Sequence, residues 1–183
     1  MRKAEMTSQS RQFRAADESN IASIIPTRWA HAIALLLVLV FLGELVISVH
    51  RQSLSWDEGD HIYAGYESWS TGDFGINPEH PPLLKEIATL PLLAMHLTAP
   101  PPKSPTFSKD EAYFNGRDLI YNNGGLDTAS SIIFRARMMA AIFSLALAAL
   151  VYFACFEIFG PVAALFGLAL VVFEPTSLPM VHM

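Results

Sequence analysis

Three carboxylates and an imidazole fall within five consecutive positions of the stretch "WDEGDHIY": Asp57, Glu58, Asp60 and His61. On a helix Asp57, Asp60 and His61 share one face, because their spacings are three and four. A carboxylate at this point stands just beyond an apolar segment, where partial desolvation tunes its pKa. General base chemistry needs such a group within hydrogen-bond reach of an acceptor hydroxyl. The plainer alternative is a helix start, where acids meet the positive end of the dipole. Asp, Glu and His also bind divalent ions. No ligand set of recognised spacing supports a metal here, so none is assigned, although a divalent ion is not excluded.

A second polar corner follows in "GDFGINPEHPPLLK". Asn77, Glu79 and His80 precede Pro81 and Pro82, whose rings fix φ and hold the preceding residue out of α geometry. Lys85 lies one turn into the next helical pattern, where its ammonium can meet a phosphate as a point charge. A plain loop-to-helix junction explains the same residues. In "FRARMM", Arg135 and Arg137 open a later apolar run. An anionic group such as a lipid phosphate would offset them, and ordinary snorkelling to the headgroups is the alternative. Glu44 lies inside the first apolar segment, where an acid is a functional candidate by default, but it is near enough to the end to snorkel.

The elements that carry these residues are apolar. The chain has 183 residues, 52% of them hydrophobic and 16% charged, with a mean hydropathy of +0.34. Soluble domains carry about 25% charge, so the balance points to a membrane protein. The formal net charge of -5 gives no basic footprint for nucleic acid. The single cysteine, Cys155, lies in an apolar run and reads as a small core residue.

Residues 1–28 read as a polar cytosolic tail. Residues 29–49 form an apolar run that as a helix rises about 31 Å, enough for a hydrocarbon core of about 30 Å. Arg28 and Trp29 anchor its start. Its length, and an exit through Glu44, His50 and Arg51 without a small-x-small pattern, argue against a cleaved signal peptide. Residues 50–131 form a long proline-containing loop with a short apolar piece suited to the membrane surface. Two apolar runs, residues 132–157 and 158–183, then follow, parted by Glu157 and "GP". The tail is denser in Lys and Arg than the acidic loop, so the loop is expected to face outward.

In that order and direction, "WDEGDHIYAGYESWSTGDFGINPEHPPLLK" resembles the N-terminal part of the polyprenyl-phosphate-dependent glycosyltransferases of the GT-C fold. Among them it is similar to the protein O-mannosyltransferases and the bacterial lipid A aminoarabinosyltransferases. The arginines at the second span and the corner "VFEPTSLPMVH" at the end of the third extend the resemblance over residues 29–183. The resemblance implies that Asp57 is the base that deprotonates an acceptor hydroxyl and that Glu58 helps orient the site. Sugar transfer would proceed with inversion as a polyprenyl or dolichyl phosphate leaves. The leaving phosphate needs cations more than an acid, a role implied for Lys85 and an arginine, Arg135 or Arg137. Asn77, Glu79 and His80 are the further donor-site candidates, with Asp60 and His61 beside the base. His80 stands where some relatives have lysine, and the family has many more spans and a large outer C-terminal region.

The expectation is therefore an all-α integral membrane protein, a GT-C-like bundle represented by three transmembrane helices, truncated after the third and incomplete as an enzyme alone. Its partners would be a lipid-linked sugar donor, a protein or glycolipid acceptor and the bilayer, with no cofactor and no nucleic acid. It would be multi-pass in a bacterial inner membrane with its N-terminus in the cytosol. The alternative is a small non-catalytic membrane protein whose acidic outer loop binds a partner.

Overall fold

The computed structural model of the chain describes residues 25–102 and 109–174. Among these residues every regular element is helical. The elements are α1 (Thr27–Arg51), α2 (Glu58–Thr71), α3 (Pro82–Thr89), a 3-10 segment (Leu90–Met95), α4 (Lys109–Tyr121), α5 (Gly125–Phe159) and α6 (Pro161–Val172).

Helices α1 and α5 are long and apolar enough to cross a membrane. Their outward side chains are themselves apolar, among them Leu35, Leu36 and Leu39 on α1 and Leu150, Phe153 and Ile158 on α5. Water disfavours a continuous apolar skin of this kind, whereas lipid does not. The buried side of α1 is a stripe of Ala30, Ala34, Phe41, Leu45 and Val49 at helical spacing. The third expected span is not confirmed. Gly160, at φ 86°, and Pro161 break the chain after α5, and α6 has 12 residues. That length rises about 18 Å, short of a hydrocarbon core. The corner "VFEPTSLPMVH" falls mostly outside the described residues.

The described chain forms two compact units. One comprises α1 as far as Phe41 together with α5 from Ala146 and α6. Within it His31 Nδ1 is 2.8 Å from the Tyr152 hydroxyl, and Gly167 of α6 brings its backbone against Cys155 and Val151 of α5.

The other unit runs from Leu42 to Leu145 and is built around α2. Its core gathers Ile62, Tyr63 and Tyr66 of α2 with Leu92, Leu119 and Ile120, and with Ala129, Ile132 and Ala136 of α5. Each fully buried Ile or Leu contributes about 1.5–3 kcal/mol. Two glycine contacts set how closely α2 is packed. Gly116 of α4 lies against the Gly59 carbonyl, and Gly65 lies against the Lys85 carbonyl of α3, so that a Cβ at either site would collide with backbone. Helix α2 ends at Gly72, whose φ of 74° lets its N–H bond the Ser68 carbonyl. Pro82 opens α3 at a position whose missing N–H has no helical partner in any case.

Candidate functional site

Helix α2 has a polar sequence and is nonetheless buried from Glu58 through Ser68. Buried polar side chains persist only where they are hydrogen-bonded or paired. The two carboxylates at its start divide sharply. Asp57 occupies the N-cap position with no side-chain cap bond and is exposed. Glu58, one residue on, is 0% exposed. The boundary falls between them: Asp57 precedes the buried stretch and Glu58 opens it.

Glu58 meets the guanidinium of Arg137, itself 0% exposed, across two parallel bonds. Arg137 Nε donates to Oε1 at 2.6 Å and Nη2 donates to Oε2 at 2.7 Å. The Ser55 N–H also donates to Oε2, at 3.2 Å. The rest of the Arg137 fork donates to the carbonyls of Val49 at 3.1 Å, Gln52 at 2.8 Å and Ser53 at 3.0 Å. Arginine has five N–H donors, and all five are engaged. Three of the acceptors lie at or just past the end of α1, where the last carbonyls of a helix lack partners of their own. One guanidinium thus closes the C-terminus of α1 and holds the first acid of α2.

A second cluster joins α2 to the proline corner. The Asn77 amide nitrogen lies 3.2 Å from His61 Nδ1. The His80 ring meets His61 edge-on at 4.8 Å between centroids. Lys85 Nζ donates to the Asn77 carbonyl at 2.5 Å. Burial pushes the Lys85 ammonium below its usual pKa, partly opposed by the carboxylate of Glu86. With Nδ2 toward His61, Asn77 Oδ1 is buried and has no protein partner. Turning that amide over would let Oδ1 accept a hydrogen bond from a His61 Nδ1–H, so Asn77 can pair with either tautomer of the ring.

The expected site residues therefore separate into groups. His61, Asn77, His80 and Lys85 converge. Glu58 and Arg137 are spent on each other and on backbone, which leaves Arg137 no donor for a phosphate. Arg135 is exposed and bonds Ser131 Oγ at 3.2 Å. Glu79 is exposed, and Asp60 is 2% exposed. Among the described residues no group of three or more His, Cys, Asp and Glu is arranged to hold a metal.

Sequence reasoning passed over further buried polar groups. The Tyr63 hydroxyl donates to the Pro100 carbonyl at 2.8 Å and accepts from Asn115 Nδ2 at 3.0 Å. Burial raises its pKa to about 12, with the Asn115 bond opposing and Glu67 and Glu111 adding to the rise. Glu67 is 5% exposed, and burial raises its carboxyl pKa. The signal available was the glycine spacing: Gly59, Gly65 and Gly116 inside helical patterns mark close backbone approach. Compared with protein-family models, curated proteins and solved structures, the chain has no match.

Proposed function

We propose that the chain carries the base-bearing loop of a membrane glycosyltransferase that moves a sugar from a polyprenyl-phosphate donor to an acceptor hydroxyl at the outer membrane face. The observation that supports this reading is the contrast between Asp57 and Glu58. Asp57 is exposed at the positive end of α2, while its neighbour is locked beneath it by Arg137. A base must be held still and must also reach solvent-borne substrate. The clamp provides the first condition and the exposure provides the second. Asp57 takes the hydroxyl proton, the oxygen attacks the anomeric carbon from the face opposite the phosphate, and the phosphate leaves with the bonding pair. Lys85, beside His61 and His80, is the cation this reading assigns to the leaving phosphate. Arg137 drops out of that role, because its donors are already taken.

The test is sugar transfer from a radiolabelled polyprenyl-phosphate sugar in membranes containing the complete gene product. Asp57→Asn is expected to abolish transfer, a loss of at least about a hundredfold for removal of a general base, with the protein still inserted at wild-type levels. Transfer retained by that variant removes Asp57 from the role. The alternative, a partner-binding loop without catalysis, would leave the wild-type membranes themselves without transfer.

A further inference from the structure

Beside Asp57 lies an aromatic surface that the proposed reaction does not use. Trp56 is 68% exposed and stacks on Tyr113 of α4, with centroids 4.3 Å apart and planes 16° from parallel. Tyr113 in turn meets Phe114 edge-on at 5.4 Å. The guanidinium of Arg117 lies over the Phe114 ring at 5.4 Å and bonds Asp118 at 3.1 Å. One indole face is thus covered, and the residue remains open. Asp57 is the next residue in the chain, and the Arg117–Asp118 pair lies one turn beyond Tyr113 on α4.

We propose that Trp56, backed by Tyr113, is a platform on which a pyranose ring stacks, rimmed by Asp57 and the Arg117–Asp118 pair. The chemistry is specific. The axial C–H bonds of a pyranose present a weakly positive face to the negative face of an indole, while its equatorial hydroxyls point sideways toward hydrogen-bonding groups. The stack with Tyr113 fixes the Trp56 ring, which lowers the entropy lost when a sugar settles on it. This inference rests on the glycosyltransferase reading and gives it a sugar-holding surface. The sugar can belong to the donor or to a glycosylated acceptor.

The chain contains three tryptophans. Labelled with fluorotryptophan and placed in lipid nanodiscs, each gives a fluorine resonance, and loss of one in Trp56→Phe identifies Trp56. Titration with methyl α-mannopyranoside is expected to shift the Trp56 signal saturably and leave those of Trp29 and Trp69 in place. Tyr113→Ala, which removes the backing ring, is expected to raise the half-saturating concentration by about three- to tenfold. A stronger response to a short-chain polyprenyl-phosphate mannose than to the free glycoside assigns the platform to the donor, and the reverse order assigns it to the acceptor. A Trp56 signal unmoved by both sugars overturns the proposal, as does a signal broadened by spin-labelled lipid and blind to sugar, which makes Trp56 a membrane anchor. Transfer measured with the complete gene product separates the two readings. A sugar-responsive Trp56 without transfer keeps the platform and removes the reaction, whereas transfer with a silent Trp56 removes only the platform.

Discussion

Replacing Arg137 with methionine keeps a long apolar stem and deletes the fork. The loss has two parts. Glu58 is left buried without its partner, and breaking a buried pair from one side costs about 3–5 kcal/mol because the surviving charge is uncompensated. The carbonyls at the end of α1 also lose their donor. The bond to Val49 is buried, whereas those to Gln52 and Ser53 are part-buried and water can replace them. Counting only Val49 adds about 1 kcal/mol. The sum, about 4–6 kcal/mol, is a large share of the 5–15 kcal/mol that holds a typical protein folded. At about 2–4 °C per kcal/mol for a chain of this size, the melting temperature falls by about 8–24 °C. Thermal unfolding in one detergent, followed by circular dichroism, reads this directly. Arg137→Lys does not rescue, since lysine offers three donors from a single point and cannot reproduce the fork. The decisive variant is the double one. Glu58→Leu with Arg137→Met removes both charges, so it melts above either single variant, with a coupling of about 2–3 kcal/mol. An Arg137→Met protein that melts within about 4 °C of wild type refutes the reasoning, and so does a double variant whose loss is the sum of the singles. Either result would return Arg137 to the pool of phosphate-binding candidates.

Gly116→Ala pushes a Cβ into the Gly59 carbonyl, and Gly65→Ala does the same at the Lys85 carbonyl. Each is expected to cost about 1–3 kcal/mol, while Gly43→Ala, with nothing within 4 Å of the new Cβ, is neutral or slightly stabilising in the same melt. Unchanged melting in the first two variants would show that the helices part freely. Glu67→Gln tests the buried acid through its pH dependence. Its folded pKa is raised above the ordinary 4.5, so the folded state holds its proton more tightly than the unfolded chain. The acid therefore costs stability as pH climbs from 4.5 through the folded value. The Gln variant melts higher than wild type at pH 7 and equals it at pH 4. A lower melting temperature at pH 7 would mean that the carboxylate is stabilised by bonds that the amide cannot replace.

Periodicity made the long elements legible. The apolar run of residues 29–49 lies inside the observed α1, Thr27–Arg51, because an uninterrupted apolar stretch leaves little choice but a helix. The run of residues 132–157 lies inside α5, but α5 begins at Gly125. The polar turns "GLDTASS" continue the helix without continuing the apolar pattern, so hydropathy could not find their start. The 12 residues of α6 leave the third span unconfirmed: they are apolar enough for a span, but the helix among the described residues is shorter than one. Most instructive is α2, whose sequence is polar and reads as a solvated helix. It is buried because Gly59, Gly65 and Gly116 let its neighbours close in on its backbone, a cause that lies in backbone contact and leaves no trace in hydropathy.

The candidate site was legible in part, for a reason that the two adjacent acids make clear. Sequence marks Asp57 and Glu58 alike as acids in the first turn of a helix, both suited to the dipole. Their fates differ through the helix boundary, with Asp57 before the buried stretch and Glu58 opening it, and through a residue 79 positions away, Arg137. Neither property is local. The boundary depends on where α2 begins, which residues 52–57, without a proline or glycine, do not mark. The partner depends on α5 passing the end of α1, which only the folded chain decides. Two carboxylates with one role each is the usual way in which a site separates scaffold from chemistry. Here the two acids divide by burial: the one at 0% exposure is consumed by the scaffold, and the other is exposed at the helix start. The same logic applies to the cations. Arg137 ranks with Lys85 as a phosphate ligand on sequence grounds, yet its full complement of bonds removes it. Lys85 donates to one carbonyl and keeps two N–H groups. What removes Arg137 from the proposed phosphate role and keeps Lys85 in it is therefore the hydrogen-bonding capacity each retains after the fold has used what it needs.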